Sequence, residues 1–318
     1  MTLNIMPVIQ KVIVLFLVMI AGICARKFKI IDQKSTKVLS SFLVNISNPL
    51  LIIYSFQIDF DLEKLKTGAL IFLLSAVMHI VCTVLSAVFF SRVKEIKQKS
   101  VYEYGLIFAN YGFMGFPVLM AIFGDIGLFY GAFFTAFFNL FCWTYGVYIM
   151  NRHSDSQSDK FQVPWKKIFL NAGLIAIIIG ILLFILKIKL PSPVFDAFKM
   201  VGDMAFPLSM IIIGSLVSVL DFKKLIKSYF LYFYSFIKLI ILPLLAIAVC
   251  YILKLPSLIS NICVVMAAMP TATNTAVFTE IYDGDSPLAA QCVGITTLFS
   301  VATIPLIMYI ANYVFSLA

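Results

Sequence analysis

Two stretches bring polar chemistry into an otherwise apolar sequence. Ala267-Ala268-Met269-Pro270-Thr271-Ala272-Thr273-Asn274-Thr275-Ala276-Val277-Phe278 sets a proline, three threonines and an asparagine inside one hydrophobic run. Proline lacks a backbone N–H and its ring clashes with the preceding turn, so a helix through Met269-Pro270 must kink or split. At membrane depth, backbone groups freed in this way are tolerated only where protein or a water-filled cavity satisfies them. The earlier stretch Ala109-Asn110-Tyr111-Gly112-Phe113-Met114-Gly115-Phe116-Pro117 has a related composition, suited to a helix that stops, runs extended and restarts. If the two interruptions cross, the second half of each helix points free N–H groups and a positive dipole end at the crossing. That arrangement is an anion site. The candidate binding residues are Asn110, Tyr111, Gly112, Gly115 and Pro117 on one segment, and Pro270, Thr271, Thr273 and Asn274 on the other. Small and hydroxyl residues also serve plain helix packing in membranes; two breaks at corresponding places favour a site.

Two ionisable side chains, His79 and Lys238, stand within apolar runs. A charge near the bilayer centre costs at least ~2.5 kcal/mol on insertion scales, so a site role is the default reading of each. Lys238 would attract an anion or change protonation during transport, and His79 would titrate near neutrality. The alternatives are structural: Lys238 pairing with a carbonyl freed by Pro243, and His79 in a helix–helix hydrogen bond. Asn48, beside Pro49, is a further candidate for lining the site, while Asn139 and Gln291 have weaker claims. Asp125 and Asp283 follow the two breaks at the expected membrane edge. The six cysteines lie in apolar runs without C-x-x-C spacing and read as core residues, so no disulfide, metal site or cofactor is expected.

The elements that position these residues follow from composition. The chain has 318 residues, 62% hydrophobic and 12% charged, roughly half the charged fraction of a soluble domain. It is an all-α polytopic membrane protein. Apolar runs of about 20 residues or more are placed at 7–25, 37–57, 67–91, 101–122, 127–149, 167–187, 195–219, 226–253, 257–280 and 287–315. These ten transmembrane helices form two groups of five, residues 1–150 and 166–318, joined by a polar cytoplasmic linker at 151–165. The net charge of +9 is concentrated in short loops, which excludes a nucleic-acid-binding face and reads as a topology signal. Sixteen lysines and arginines follow helices one, three, five and seven, against six on the other side. The positive-inside rule then leaves both termini extracytoplasmic. Sliding the chain on itself by about 158 residues aligns Gly22-Ile23 with Gly180-Ile181, Pro49-Leu50 with Pro207-Leu208, Gly112 with Pro270, and Asp125 with Asp283; Asp61 and Leu65 meet Asp221 and Leu225 at a shift of 160. With five helices per half, the second half is an inverted repeat of the first, and helices 4 and 9 are broken and crossing.

On Asn110 to Pro117, on Pro207-Leu208-Ser209-Met210 with Gly214, and on Ala268 to Asn274 with Phe278 and Tyr282, the chain resembles the auxin efflux carrier family of membrane transporters. That family, within the bile acid/auxin transporter superfamily, includes the plant PIN carriers and bacterial organic-acid permeases. The likeness spans nearly the whole chain. It implies a five-plus-five inverted repeat with helices 4 and 9 broken at their crossing, and elevator-like movement of a transport domain against a scaffold. It also implies a carboxylate or dicarboxylate substrate of the malonate or malate kind. The long hydrophilic midpoint loop of the plant carriers is absent.

The expected function is a secondary active transporter of a small organic anion in the cell membrane, and not an enzyme. Expected partners are the anion, a coupling proton or sodium ion, the lipid bilayer and a second copy of the chain in a homodimer. One alternative is a sodium-coupled carrier of the bile-acid-transporter type, since carbonyls at a broken helix also hold a cation. The other is an intramembrane aspartyl protease, suggested by Tyr282-Asp283-Gly284-Asp285. Its chemistry needs two adjacent carboxylates sharing a proton, whereas the inverted topology puts Asp125 and Asp283 on opposite faces.

Overall fold

The computed structural model describes residues 5–152, 170–219 and 228–316. Within these, the regular elements are helices, with one isolated antiparallel bridge between Ala109 and Thr271. The linker beyond Arg152 lies outside the described residues. So do Lys160, Lys166, Lys167, Lys223, Lys224, Lys227, Asp221 and Leu225.

Helix α1 runs over Ile5–Lys27 and ends on Arg26 and Lys27, cations that complement the negative end of its dipole. Asp32 caps α2 (Gln33–Phe42), which passes through one wide π-type turn, Leu43–Ser47, into α3 (Asn48–Ser55). Pro49 lies directly after that wide turn, within the continuous helix Gln33–Ser55. Asp61 caps α4 (Leu62–Phe89). The 101–122 stretch divides into α5 (Ile96–Ile107) and α6 (Phe116–Phe123), the latter entered through a π-type turn at Tyr111–Gly115. Helix α7 (Asp125–Phe141) continues through Cys142–Gly146 into α8 (Val147–Asn151). Past the linker come α9 (Ala172–Ile185), α10 (Ser192–Asp203) and α11 (Ala205–Val217). Helix α12 (Tyr229–Phe236) passes through Ile237–Ile241 into α13 (Leu242–Ile252). The 257–280 stretch divides into α14 (Ser257–Ala267) and α15 (Asn274–Ile281), and α16 (Ser286–Ser316) closes the chain.

Among the described residues, seven continuous helices are long and apolar enough to cross a membrane. Two of the three shorter apolar helices, Tyr111–Phe123 and Ser257–Ala267, are pieces of the divided stretches; the third is α9. Exposed apolar side chains such as Leu17, Val77, Val84 and Tyr309 suit a hydrocarbon surround. Cys24 is likewise exposed, at the end of α1, so the core reading holds only for the other five cysteines, which are buried; all six are free thiols. Backbones approach most closely between α1 and α11. There a Cβ on Gly22 would strike the Ile211 backbone, and one on Gly214 would strike the Met19 carbonyl. Small residues that let helices meet in this way are the usual glue of membrane bundles.

Polar contacts sort the connecting segments into two ends. At one, Lys189 pairs with Asp59 at 3.0 Å, and Gln57 accepts the Leu190 N–H at 2.8 Å. At the other, Lys97 pairs with Asp283 at 3.0 Å, and Arg152 pairs with the buried Glu103 at 2.6 Å while donating to Ser100 Oγ. From Asp125 to Arg152 the chain is helical, a rise of about 40 Å at 1.5 Å per residue. Asp125 and Asp283 therefore sit at opposite ends and share no proton.

Candidate functional site

The two divided stretches are bonded directly to each other. α5 stops at Ile107, and the chain leaves the helix with Phe108 extended. The Asn110 N–H then donates to the Pro270 carbonyl at 2.8 Å, and the Ala272 N–H donates to the Phe108 carbonyl at 3.1 Å. This two-bond crossing answers the accounting problem posed by the breaks, since buried backbone groups need partners. Further groups complete it. The Thr271 N–H donates to Thr296 Oγ1 at 3.1 Å, and the Thr271 and Tyr234 hydroxyls are 2.6 Å apart. The Asn110 carbonyl accepts the N–H groups of Met114 and Gly115, restarting the first segment as a helix. Lys238 Nζ donates to the Leu106 carbonyl at 2.7 Å.

Beside the crossing lies a cavity of about 200 Å³. Its polar lining comes from Asn48, Asn110, Thr135, Asn139, Asn171, Thr273 and Asn274, and its aromatic wall from Tyr111, Phe113, Phe116, Phe138, Trp143 and Phe278. No charged side chain is among the described residues that line it. The opening turns of both restarted segments, at Gly112 and Phe113 and at Thr273 and Asn274, face this space. Helix starts have N–H groups without intrahelical acceptors.

Of the sequence candidates, Asn48, Asn110, Tyr111, Gly112, Thr273 and Asn274 line the cavity. Pro270 and Thr271 lie in the crossing itself. Pro117 is buried in the first turn of α6. Gly115 packs on α14 and the residues after it, where a Cβ would meet Met266 sulfur at 3.1 Å. Lys238 and His79 are buried outside the lining. His79 Nδ1 is 2.7 Å from the Ser75 carbonyl within α4, and six aromatic rings, including Phe108 and Tyr111 at the crossing, surround its imidazole. Its Nε2 has no hydrogen-bond partner.

Thr135, Trp143 and Asn171 line the cavity without having been singled out from the sequence, and Asn139 lines it despite its weaker claim. Asn171 carried a readable signal. An asparagine directly before an apolar helical run is a favoured N-cap, and Asn171 Oδ1 accepts the Leu174 N–H at 2.9 Å.

Many apolar helices around an uncharged polar cavity, walled by two interrupted helices bonded to each other, define a polytopic membrane protein with an internal space of solute size. Comparison with known proteins narrows that class. A family model described as membrane transport protein matches residues 7–308. An uncharacterized transporter of Methanocaldococcus jannaschii is 27% identical over 312 residues, covering 94% of this chain and 97% of the relative. An uncharacterized transporter of Methanothermobacter thermautotrophicus is 23% identical over 302 residues, covering 93% and 96%. The chain belongs to the membrane transport protein family, the auxin efflux carrier family. It is an integral membrane transporter rather than an enzyme.

Proposed function

We propose that this transporter is a secondary carrier of a small organic anion, a carboxylate or dicarboxylate, bound where the two divided helices cross. The observation that carries the reading is the cavity at the crossing. Its wall includes the opening turns of two helix segments, where free N–H groups and the positive dipole end favour an anion. A cavity of about 200 Å³ leaves room for a small solute. The binding residues are Asn48, Asn110, Tyr111, Gly112, Thr273 and Asn274, with Gly115, Pro117, Pro270, Thr271, Lys238 and His79 supporting the crossing.

In this reading the chain has ten spans as two inverted repeats, residues 1–150 and 166–318, on either side of a cytoplasmic linker at 151–165. Both termini are extracytoplasmic in the cell membrane. One group of helices carries the crossing past the other in an elevator-like cycle of alternating access. Purified protein in liposomes loaded with a carboxylate tests the proposal. Exchange of labelled carboxylate that survives complete replacement of sodium supports a carrier coupled otherwise, whereas exchange that stops without sodium selects the sodium-coupled alternative. No movement or binding of any mono- or dicarboxylate would refute the anion reading.

A further inference from the structure

A second cavity, of about 210 Å³, opens at the end of the bundle where Lys189 pairs with Asp59. The chain between α3 and α4 and the end of α9 with the residues after it form its walls. Its floor is apolar: Phe56 and Phe184 are buried there, with Leu183 and Phe60 beside them. Its rim carries Lys187, Lys189 and Asp59.

The turn after α9 fixes where Lys187 stands. The Lys187 N–H donates to the Phe184 carbonyl at 3.2 Å and the Ile188 N–H to the Leu183 carbonyl at 2.9 Å, the paired bonds that close a helix on a left-handed residue. That residue is Lys187, at φ 57°. Its Nζ lies 5.3 Å from the centre of the Phe60 ring, and among the described residues it has no carboxylate or carbonyl partner. Lys189, by contrast, pairs with Asp59 Oδ1 at 3.0 Å and donates to the Gln57 carbonyl at 3.0 Å. Two lysines and one aspartate line the cavity, so one positive charge is left over, on Lys187. Beside this rim Leu182, Ile185, Leu186 and Ile188 are exposed, an apolar strip that leads along α9 into the membrane.

We propose that this cavity seats the headgroup of an anionic phospholipid, with its phosphate beside Lys187 and its acyl chains against the exposed face of α9. Basic pockets at the edge of a transmembrane bundle recognise lipid headgroups by charge. The apolar floor favours a ligand that brings its own methylenes, which a free phosphate does not. No lining residue is shared with the cavity at the crossing, so this inference stands apart from the anion reading. A lysine near a helix end also reaches the headgroup layer without any site. Lys254 provides that comparison: it closes α13 in the same left-handed turn, at φ 50°, and lies outside this cavity.

The test is a melting-temperature titration of the purified full chain in detergent with phosphatidylglycerol, and with phosphatidylcholine of the same acyl chains, because a ligand that binds the folded state raises its stability by mass action. Wild type is expected to be stabilised by phosphatidylglycerol more than by phosphatidylcholine. Lys187→Gln is expected to weaken the phosphatidylglycerol effect roughly fivefold, the scale of one lysine at an anionic membrane surface. Lys187→Arg should retain it, and Lys254→Gln should leave it unchanged. Equal stabilisation by the two lipids, or an equal loss in Lys187→Gln and Lys254→Gln, would overturn the site. Stabilisation by glycerol phosphate or inorganic phosphate as strong as that by phosphatidylglycerol would assign the cavity to a soluble anion and overturn the lipid reading.

Discussion

The Lys238 ammonium takes up the carbonyl of Leu106, at 2.7 Å, that the break in its helix sets free. In a continuous helix that carbonyl would accept the N–H of Asn110, four residues on. Here the Asn110 N–H is donated to Pro270 instead. The crossing withdraws one donor, and Lys238 replaces it with a charged one at the negative end of the α5 dipole.

Removing that donor exposes its structural contribution. Lys238→Met leaves the Leu106 carbonyl buried and unpaired, at a cost of about 1–3 kcal/mol. A lower melting temperature of the purified variant without ligand checks this. An unchanged melting temperature would mean that another group satisfies Leu106.

Asn110→Ala and Asn274→Ala remove side chains that line the cavity and leave the main-chain bonds of the crossing intact. Each variant is expected to fold and to bind the transported carboxylate at least tenfold more weakly, a loss of about 1.4 kcal/mol. Equilibrium binding in detergent measures it. Wild-type affinity in both variants would place the ligand elsewhere.

Close approach of α1 and α11 depends on two glycines. Gly214→Val drives side-chain atoms into the Met19 carbonyl, and overpacking of this kind costs typically about 1–3 kcal/mol. The same substitution at Gly284, where a Cβ would meet only the Thr279 side chain and α-carbon at 3.1 Å or more, is expected to be milder. Side-by-side thermal denaturation decides the ranking.

At the connection between α1 and α2, the Ser35 N–H and hydroxyl both donate to Asp32 at 2.7 Å and hold its carboxyl below the usual carboxylate range. Lys189 does the same for Asp59, through its hydrogen bond and its charge. A carboxylate depressed by folding contributes stability above its unfolded value, about 3.9, and that contribution is lost as pH falls through the folded value. The melting temperature should therefore drop as pH is lowered below about 4. Asp32→Asn, which still caps α2, should flatten part of that slope. An identical acid profile for the variant would remove Asp32 from the cause.

The breaks were legible because proline and glycine act through the backbone itself. Pro270 and the Gly112 to Pro117 cluster mark where a helix cannot continue, whatever packs around it. Their placement within each break was less so. α5 ends at Ile107, ahead of every glycine in the cluster, because pairing of Phe108 and Asn110 with the other segment decides where the helix stops. Pro117 falls inside the restarted helix, directly after the wide turn at Tyr111–Gly115. Asn48, Asn110 and Asn274 were readable as amides inside apolar runs. Trp143 and Thr135 were not, and Asn171 was readable only as a helix cap, because the place of all three at the cavity depends on how α7, the turn after it and the start of α9 pack. Lys238 was conspicuous as a buried charge. Its partner, 132 positions away in the chain, was hidden until the fold brought them together.

A structure determined with a transported carboxylate bound tests the central claim most directly. The account predicts the ligand in the cavity beside the Ala109–Thr271 bridge, with one carboxylate group within hydrogen-bond distance of Asn110 Nδ2 and the N–H groups at Thr273 and Asn274. A ligand bound away from these groups, with the cavity beside the crossing left empty, would contradict it.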